Sequence, residues 1–125
     1  MMRDADAYPD LVGDMFVYDP DRGLREGYDA IVASDWEAAY AAYRYPGDAK
    51  RFYFAQDFEP YFFAAGSDYV LAENSYRFGF HGITAGRWLA RKLDDEYAMA
   101  CDSFDFAVDT QNYRRLGEGS RGEVV

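Results

Sequence analysis

The chain reads KRFYFAQDFEPYFFAAGSDYVLAENSYRFGFHGITAGRWLARKL from Lys50 to Leu93, and this stretch places two buried-strand patterns and two helix patterns around one polar junction. Arg51–Ala55 is a short apolar and aromatic run, typical of a strand buried on both faces. It stops abruptly at Gln56, Asp57 and Glu59. Because ligands bind at the carboxyl ends of strands in open α/β sheets, this junction is the first candidate for a site.

Strand and helix patterns alternate along the rest of the chain, which predicts the order βαβαβαβ. That order is typical of an α/β fold with a Rossmann-like parallel sheet, right-handed crossovers and helices on its faces. The predicted strands are Tyr28–Ala33, Arg51–Ala55, Phe80–Thr84 and Phe104–Val108, and the predicted helices are Trp36–Tyr45, Tyr69–Arg77 and Arg87–Tyr97.

Two of these helices carry apolar residues at helical spacing, which predicts that the stripes pack against the sheet. The stripes are Trp36, Tyr40 and Tyr43 on the first helix, and Trp88, Leu89, Leu93 and Tyr97 on the third. Ser34 or Asp35 is the expected N-cap of the first helix.

Composition narrows the class of protein. The chain has 125 residues, half of them hydrophobic, which is enough for one domain with a real core. A formal net charge of −10 argues against nucleic acid or an anionic membrane as the partner, since both would repel it. One cysteine, no apolar run of about 20 residues and no signal-peptide pattern make the cytoplasm the expected location.

Three stretches of the chain resemble a known family. They are YDAIVASDWEAAYAA, then FYFAQDFEPYFFAAGSDYVLAENSYRFGFHGITAGRWLARKL, then FDFAVDTQNY, and together they span roughly Gly27 to Tyr113. The family is the rhamnan-synthesis type of rhamnosyltransferase, a group of bacterial GT-B glycosyltransferases. The long match around QDFEP and YRFGFHGITAG makes the resemblance much more specific than a lone glycine motif.

Composition and the resemblance together predict a domain layout. Residues 1–26 are an acidic, irregular lead-in, residues 27–113 are part of the Rossmann-like acceptor-side domain, and residues 114–125 are a linker toward a missing C-terminal domain. The complete enzyme would transfer L-rhamnose, or a related sugar, from a dTDP-sugar to a hydroxyl group of a surface glycan, with no metal or other cofactor. This chain alone is then expected to be inactive.

Asp57 and Glu59 are the candidate catalytic residues. Two residues apart in an extended junction, they could act as a general base and its orienter, or as acceptors for sugar hydroxyls. The structural alternative, in which Asp57 caps the turn and Glu59 only begins the next loop, is equally consistent with the residues. The family's cleft loop favours the functional interpretation, and both side chains are then expected to be exposed.

Five further residues are candidates for substrate binding. Gln56 shares the junction, Arg77 could clamp a phosphate, and His81 is the one side chain that titrates near neutrality. Thr84 and Gly86 end the next strand and would form a second lip of the cleft. Ordinary structural roles compete in each case, and no residue spacing indicates a metal site.

A second class of function stays open, namely a noncatalytic α/β module that binds a carbohydrate or a protein through aromatic rings and that remains from a split gene. In either case a four-stranded parallel sheet leaves an unpaired edge, and such edges pair with other chains. A homodimer is therefore expected.

Overall fold

The computed structural model describes residues 13, 14, 16–109 and 112. Within them the chain forms a four-stranded parallel sheet and three α-helices, so the predicted α/β order is confirmed. None of the described helices combines the length and the apolar character that a membrane crossing requires. The elements are β1 (Ala30–Ala33), α1 (Trp36–Tyr43), β2 (Lys50–Ala55), a 3₁₀ helix (Glu59–Phe62), α2 (Ser67–Ser75), β3 (His81–Ala85), α3 (Arg87–Tyr97) and β4 (Cys101–Phe104).

The strands lie in the order β1-β2-β3-β4, and each is parallel to the next. Right-handed crossovers in this order place successive helices on the same face of the sheet. Tyr53 in the centre of that face is fully buried, and Leu89 and Leu93 of α3 belong to the same hydrophobic cluster. All the strands therefore end at one edge, beside the beginnings of the helices.

The opposite face of the sheet is uncovered by any described helix, and we call it the open face. Its apolar residues are Val32, Phe52, Phe54, Ile83 and Phe104, and Val32 and Phe104 are exposed. Phe54 and Phe104 stack with ring centroids 5.7 Å apart. On this side of the sheet, aromatic packing between β2 and β4, across β3, takes the place of a helix layer.

The prediction for the fourth strand was wrong in position. Phe104–Val108 was expected, but β4 is Cys101–Phe104. The reason lies in how α3 ends: Ala98 takes a left-handed conformation, and Gly82 then pairs with Cys101. An edge strand with one uncovered face needs few apolar residues, so the polar CDSF pattern gave no strand signal.

The two predicted stripes were also wrong in part. On α1, Ala39 and Ala42 face the core, while Tyr43 is exposed, because small residues let the helix approach the sheet closely. On α3, Leu89 and Leu93 are buried as predicted, but Trp88 is 60% exposed. Trp88 lies about 100° around the helix from Leu89, which directs it away from the sheet.

The predicted domain boundaries stay predictions. Residues 1–12 of the lead-in and the linker at 114–125 lie outside the described residues.

Candidate functional site

A cleft of about 520 Å³ lies between the beginning of α1 and the end of β2. β1 and β2 are parallel neighbours, so the segments that follow them meet at one edge of the sheet. The lining residues are Ser34, Asp35, Trp36, Glu37, Gln56, Asp57, Glu59, Phe62 and Phe63. The sequence-predicted junction is therefore one wall of a cleft.

The other wall is the first turn of α1, which begins as predicted at an N-cap. The Asp35 carboxylate accepts a hydrogen bond of 2.7 Å from the Ala38 N–H. Ser34 donates a longer one, 3.4 Å, to the other carboxylate oxygen. Capping satisfies a free N–H group at the helix start and holds a negative charge at the positive end of the helix dipole.

Asp57 and Gln56 present their side chains at the surface of the cleft. One oxygen of Asp57 accepts from the Phe58 N–H at 2.7 Å, which orients the carboxylate. Its second oxygen has no hydrogen-bond partner among the described residues, and neither has the Gln56 amide. These two side chains are therefore available to a ligand.

Glu59 differs from Asp57, and the expectation that it is exposed was wrong. It is only 9% exposed. Its carboxylate accepts from the Tyr53 hydroxyl at 2.7 Å and from the Trp36 N–H at 2.9 Å. Burial raises the pKa of Glu59 from its ordinary value, while the hydrogen bonds from Tyr53 and Trp36 act to lower it.

Three aromatic rings complete the cleft, and sequence reasoning did not assign them to it. Phe62 of the 3₁₀ helix is 64% exposed. Trp36 and Phe63 meet edge to face, with ring centroids 6.1 Å apart. The only sequence signal was the YFF run directly after the polar junction. Ring faces beside carboxylates and an amide suit a ligand with both apolar and hydroxyl-bearing surfaces.

The structure does not bring Arg77 or His81 to this cleft. Arg77 bonds Asn74 at 3.3 Å, and its guanidinium carbon lies 4.7 Å from the centre of the Tyr97 ring. His81 begins β3 and contacts Asp102 at 2.9 Å on the open face. The cleft borders the opposite end of the strands.

Thr84 and Gly86 also lie outside the cleft lining. The buried Thr84 hydroxyl lies 3.2 Å from the Gly86 carbonyl, to which it donates. Gly86 is the N-cap of α3 with φ +83°, a conformation that favours glycine, and its N–H donates to Phe104 at 2.9 Å. Both contacts shape the turn between β3 and α3.

Charge distinguishes this cleft from a phosphate site. Among the described residues, its lining includes four carboxylates (Asp35, Glu37, Asp57 and Glu59) and neither lysine nor arginine. In the part of the chain that the structure describes, no three histidine, cysteine or acidic side chains come together as a metal site would need. The lining therefore offers hydrogen-bond acceptors and ring faces to a ligand.

Comparison with known proteins gives one informative likeness. The chain is 37% identical over 89 residues to the O-antigen biosynthesis protein RfbC of Myxococcus xanthus. The match covers 71% of this chain but 7% of that protein, so the chain spans a small part of its relative's length. No family model matches the chain. No solved structure matches it either.

Proposed function

We propose that this chain is part of a glycosyltransferase of polysaccharide biosynthesis, and that its cleft contacts a sugar. The observation that carries the proposal is the combination of three aromatic rings, of which Phe62 is exposed, the free Gln56 amide and the free Asp57 oxygen in one cleft. Sugars offer hydroxyl groups to such acceptors and C–H faces to such rings. The likeness to a protein named for O-antigen biosynthesis supports the same class.

The finer assignment follows from the resemblance to rhamnan-synthesis rhamnosyltransferases. The sugar transferred is L-rhamnose, or a related sugar, and dTDP is the leaving nucleotide of a GT-B reaction. A cleft lined by four carboxylates and no lysine or arginine is unsuited to the donor diphosphate. We therefore assign this cleft to the sugar hydroxyls and the diphosphate to a different part of the complete enzyme.

Binding of a simple glycoside tests the proposal. The isotope-labelled chain is titrated with methyl α-L-rhamnopyranoside and followed by two-dimensional NMR. The amide signals of Gln56, Asp57 and Phe62 are expected to shift, while those of β4 stay in place. Asp57→Asn should weaken binding about tenfold or more, since a hydrogen bond to a charged group contributes about 1.5–3 kcal/mol.

Asp68→Asn is the matched control, because Asp68 is an exposed carboxylate in the first turn of α2 and outside the cleft lining. The affinity of the Asp68→Asn chain for the glycoside should equal that of the unaltered chain. Shifts confined to other surfaces, or equal effects of the two substitutions, would contradict the assignment of the cleft.

A further inference from the structure

Glu59 connects the two walls of the cleft. One carboxylate oxygen accepts from Tyr53 on β2, and the other accepts from the backbone of Trp36, the first residue of α1. The backbone N–H of Glu59 donates to the hydroxyl of Tyr76 at 3.0 Å. The side chain and the main chain of this residue are thus both engaged with protein groups.

These bonds set the separation of the walls. The Trp36 N–H belongs to the first turn of α1. The bond from the Ala38 N–H to the Asp35 cap stays within the start of this helix and does not join it to β2. Tyr53 is fully buried in the centre of β2, so its hydroxyl is a fixed point of the core. Through Glu59, the start of α1 is held against the junction that includes Asp57.

We propose that Glu59 is a positioning residue, which holds the first turn of α1 at the cleft, and that Asp57 is the carboxylate that meets the sugar. This assignment of separate roles to Asp57 and Glu59 rests on the proposed function. A carboxylate that acts as a general base, or that binds a sugar hydroxyl, needs an oxygen that faces the cleft. Asp57 has such an oxygen. Both Glu59 oxygens are occupied by partners that would be left unsatisfied if it turned outward.

The conservative variant separates the two roles. In Glu59→Gln, the amide oxygen still accepts from Trp36, and the amide NH₂ can donate to the Tyr53 hydroxyl. A positioning role therefore predicts that this variant binds the glycoside within about threefold of the unaltered chain, a change of at most about 0.65 kcal/mol. In Glu59→Ala, the affinity for the glycoside should fall about tenfold or more, as it does in Asp57→Asn.

The opposite pattern would overturn the proposal. If Glu59→Gln loses as much affinity as Asp57→Asn, the Glu59 charge itself meets the ligand. If Glu59→Ala binds as well as the unaltered chain, the connection between the walls does not position the site.

Amide hydrogen exchange provides a readout that does not depend on any sugar. Exchange of the Trp36 N–H should accelerate about tenfold or more in Glu59→Ala and stay within about threefold in Glu59→Gln, with the Phe54 N–H in β2 as the internal reference. Equal exchange rates of the Trp36 N–H in the unaltered chain, Glu59→Ala and Glu59→Gln would contradict the positioning role. Failure of the unaltered chain to bind the glycoside would instead contradict the proposed function, so the two failures are distinguishable.

Tyr76→Phe covers the case in which Glu59→Ala does not fold. It removes the hydroxyl that accepts from Glu59 but keeps the ring stacked on Phe58, with centroids 5.5 Å apart. We expect the amide signals of Asp57 and Glu59 to shift and glycoside affinity to fall about threefold or more. Tyr97→Phe is the control, since its hydroxyl donates to Glu73 outside the cleft. Identical spectra and affinities for the two variants would also contradict the proposal.

Discussion

Among single residues, Gly82 shows how closely β3 and β4 approach at their first pair. A side-chain methyl group at Gly82 would overlap the Cys101 sulfur and come within 3.4 Å of Met99. Gly82 faces the buried side of the sheet, opposite Cys101 in the register. Burial raises the pKa of the Cys101 thiol to about 11, so this sulfur is a neutral packing atom at physiological pH.

Gly82→Ala should therefore lower the free energy of unfolding by about 1–3 kcal/mol, as overpacking does. In the double variant with Cys101→Ala, the clashing sulfur is gone, and at least half of that loss should return. Urea unfolding of the two single variants and the double variant measures this coupling. Additive effects would show that the sulfur is not the obstacle.

The roles of Asp57 and Glu59 show the limit of sequence reasoning about single residues. The polar junction after a buried strand was enough to locate one wall of the cleft. The different environments of its two carboxylates were not predictable, because the partners of Glu59 lie at Tyr53 and Trp36, and Trp36 belongs to the far wall. Which oxygen is free depends on tertiary contacts that local spacing does not encode.

Between elements, Arg51 joins α1 to β2. Its guanidinium donates to the carbonyl groups of Ala42 at 3.0 Å, Tyr45 at 2.7 Å and Gly47 at 3.1 Å. These groups end α1 and form the turn that follows it. A positive charge at this end of a helix also interacts favourably with the helix dipole.

Arg51→Lys should lower the free energy of unfolding by about 1–3 kcal/mol, because a single ammonium group cannot reach carbonyls that the planar guanidinium spans. Arg44→Lys is the matched control: Arg44 is exposed, and its side chain has no hydrogen bond to the described residues. Its effect should stay within about 0.5 kcal/mol. Chemical denaturation of both variants makes the comparison, and equal losses would refute the role of the guanidinium.

The ranges of the helices and strands were easier to predict than which of their side chains face the core. Helix α3 matches the predicted range, and β1, β2 and β3 differ from theirs by a few residues at most. Alternating patterns and Gly or Pro breaks are local signals, which is why they were sufficient. The position of β4 and the exposure of Trp88 depend on which side of the sheet is covered, and the pattern of a single segment does not reveal that.

For the molecule as a whole, charge governs the expected behaviour with a nucleotide sugar. The chain has a formal net charge of −10, and in the part that the structure describes no lysine or arginine lines the cleft to bind a diphosphate. Incubated with dTDP-rhamnose and rhamnan acceptors, the chain should release no nucleotide above background. The Asp57→Asn chain serves as the control for contaminating activity. Release by the unaltered chain that this variant lacks would show that this chain by itself is a complete catalyst.

The sequential strand order has a consequence for how the chain reaches its fold. Each described strand pairs only with its neighbours along the chain, so no pairing among these four strands waits for a distant segment. Parallel sheets are usually slow to form because they depend on remote contacts, and this arrangement keeps those contacts as local as a parallel sheet allows. The sheet can grow one βα unit at a time as the ribosome delivers it, with β1 and β2 joined before β4 has been synthesised.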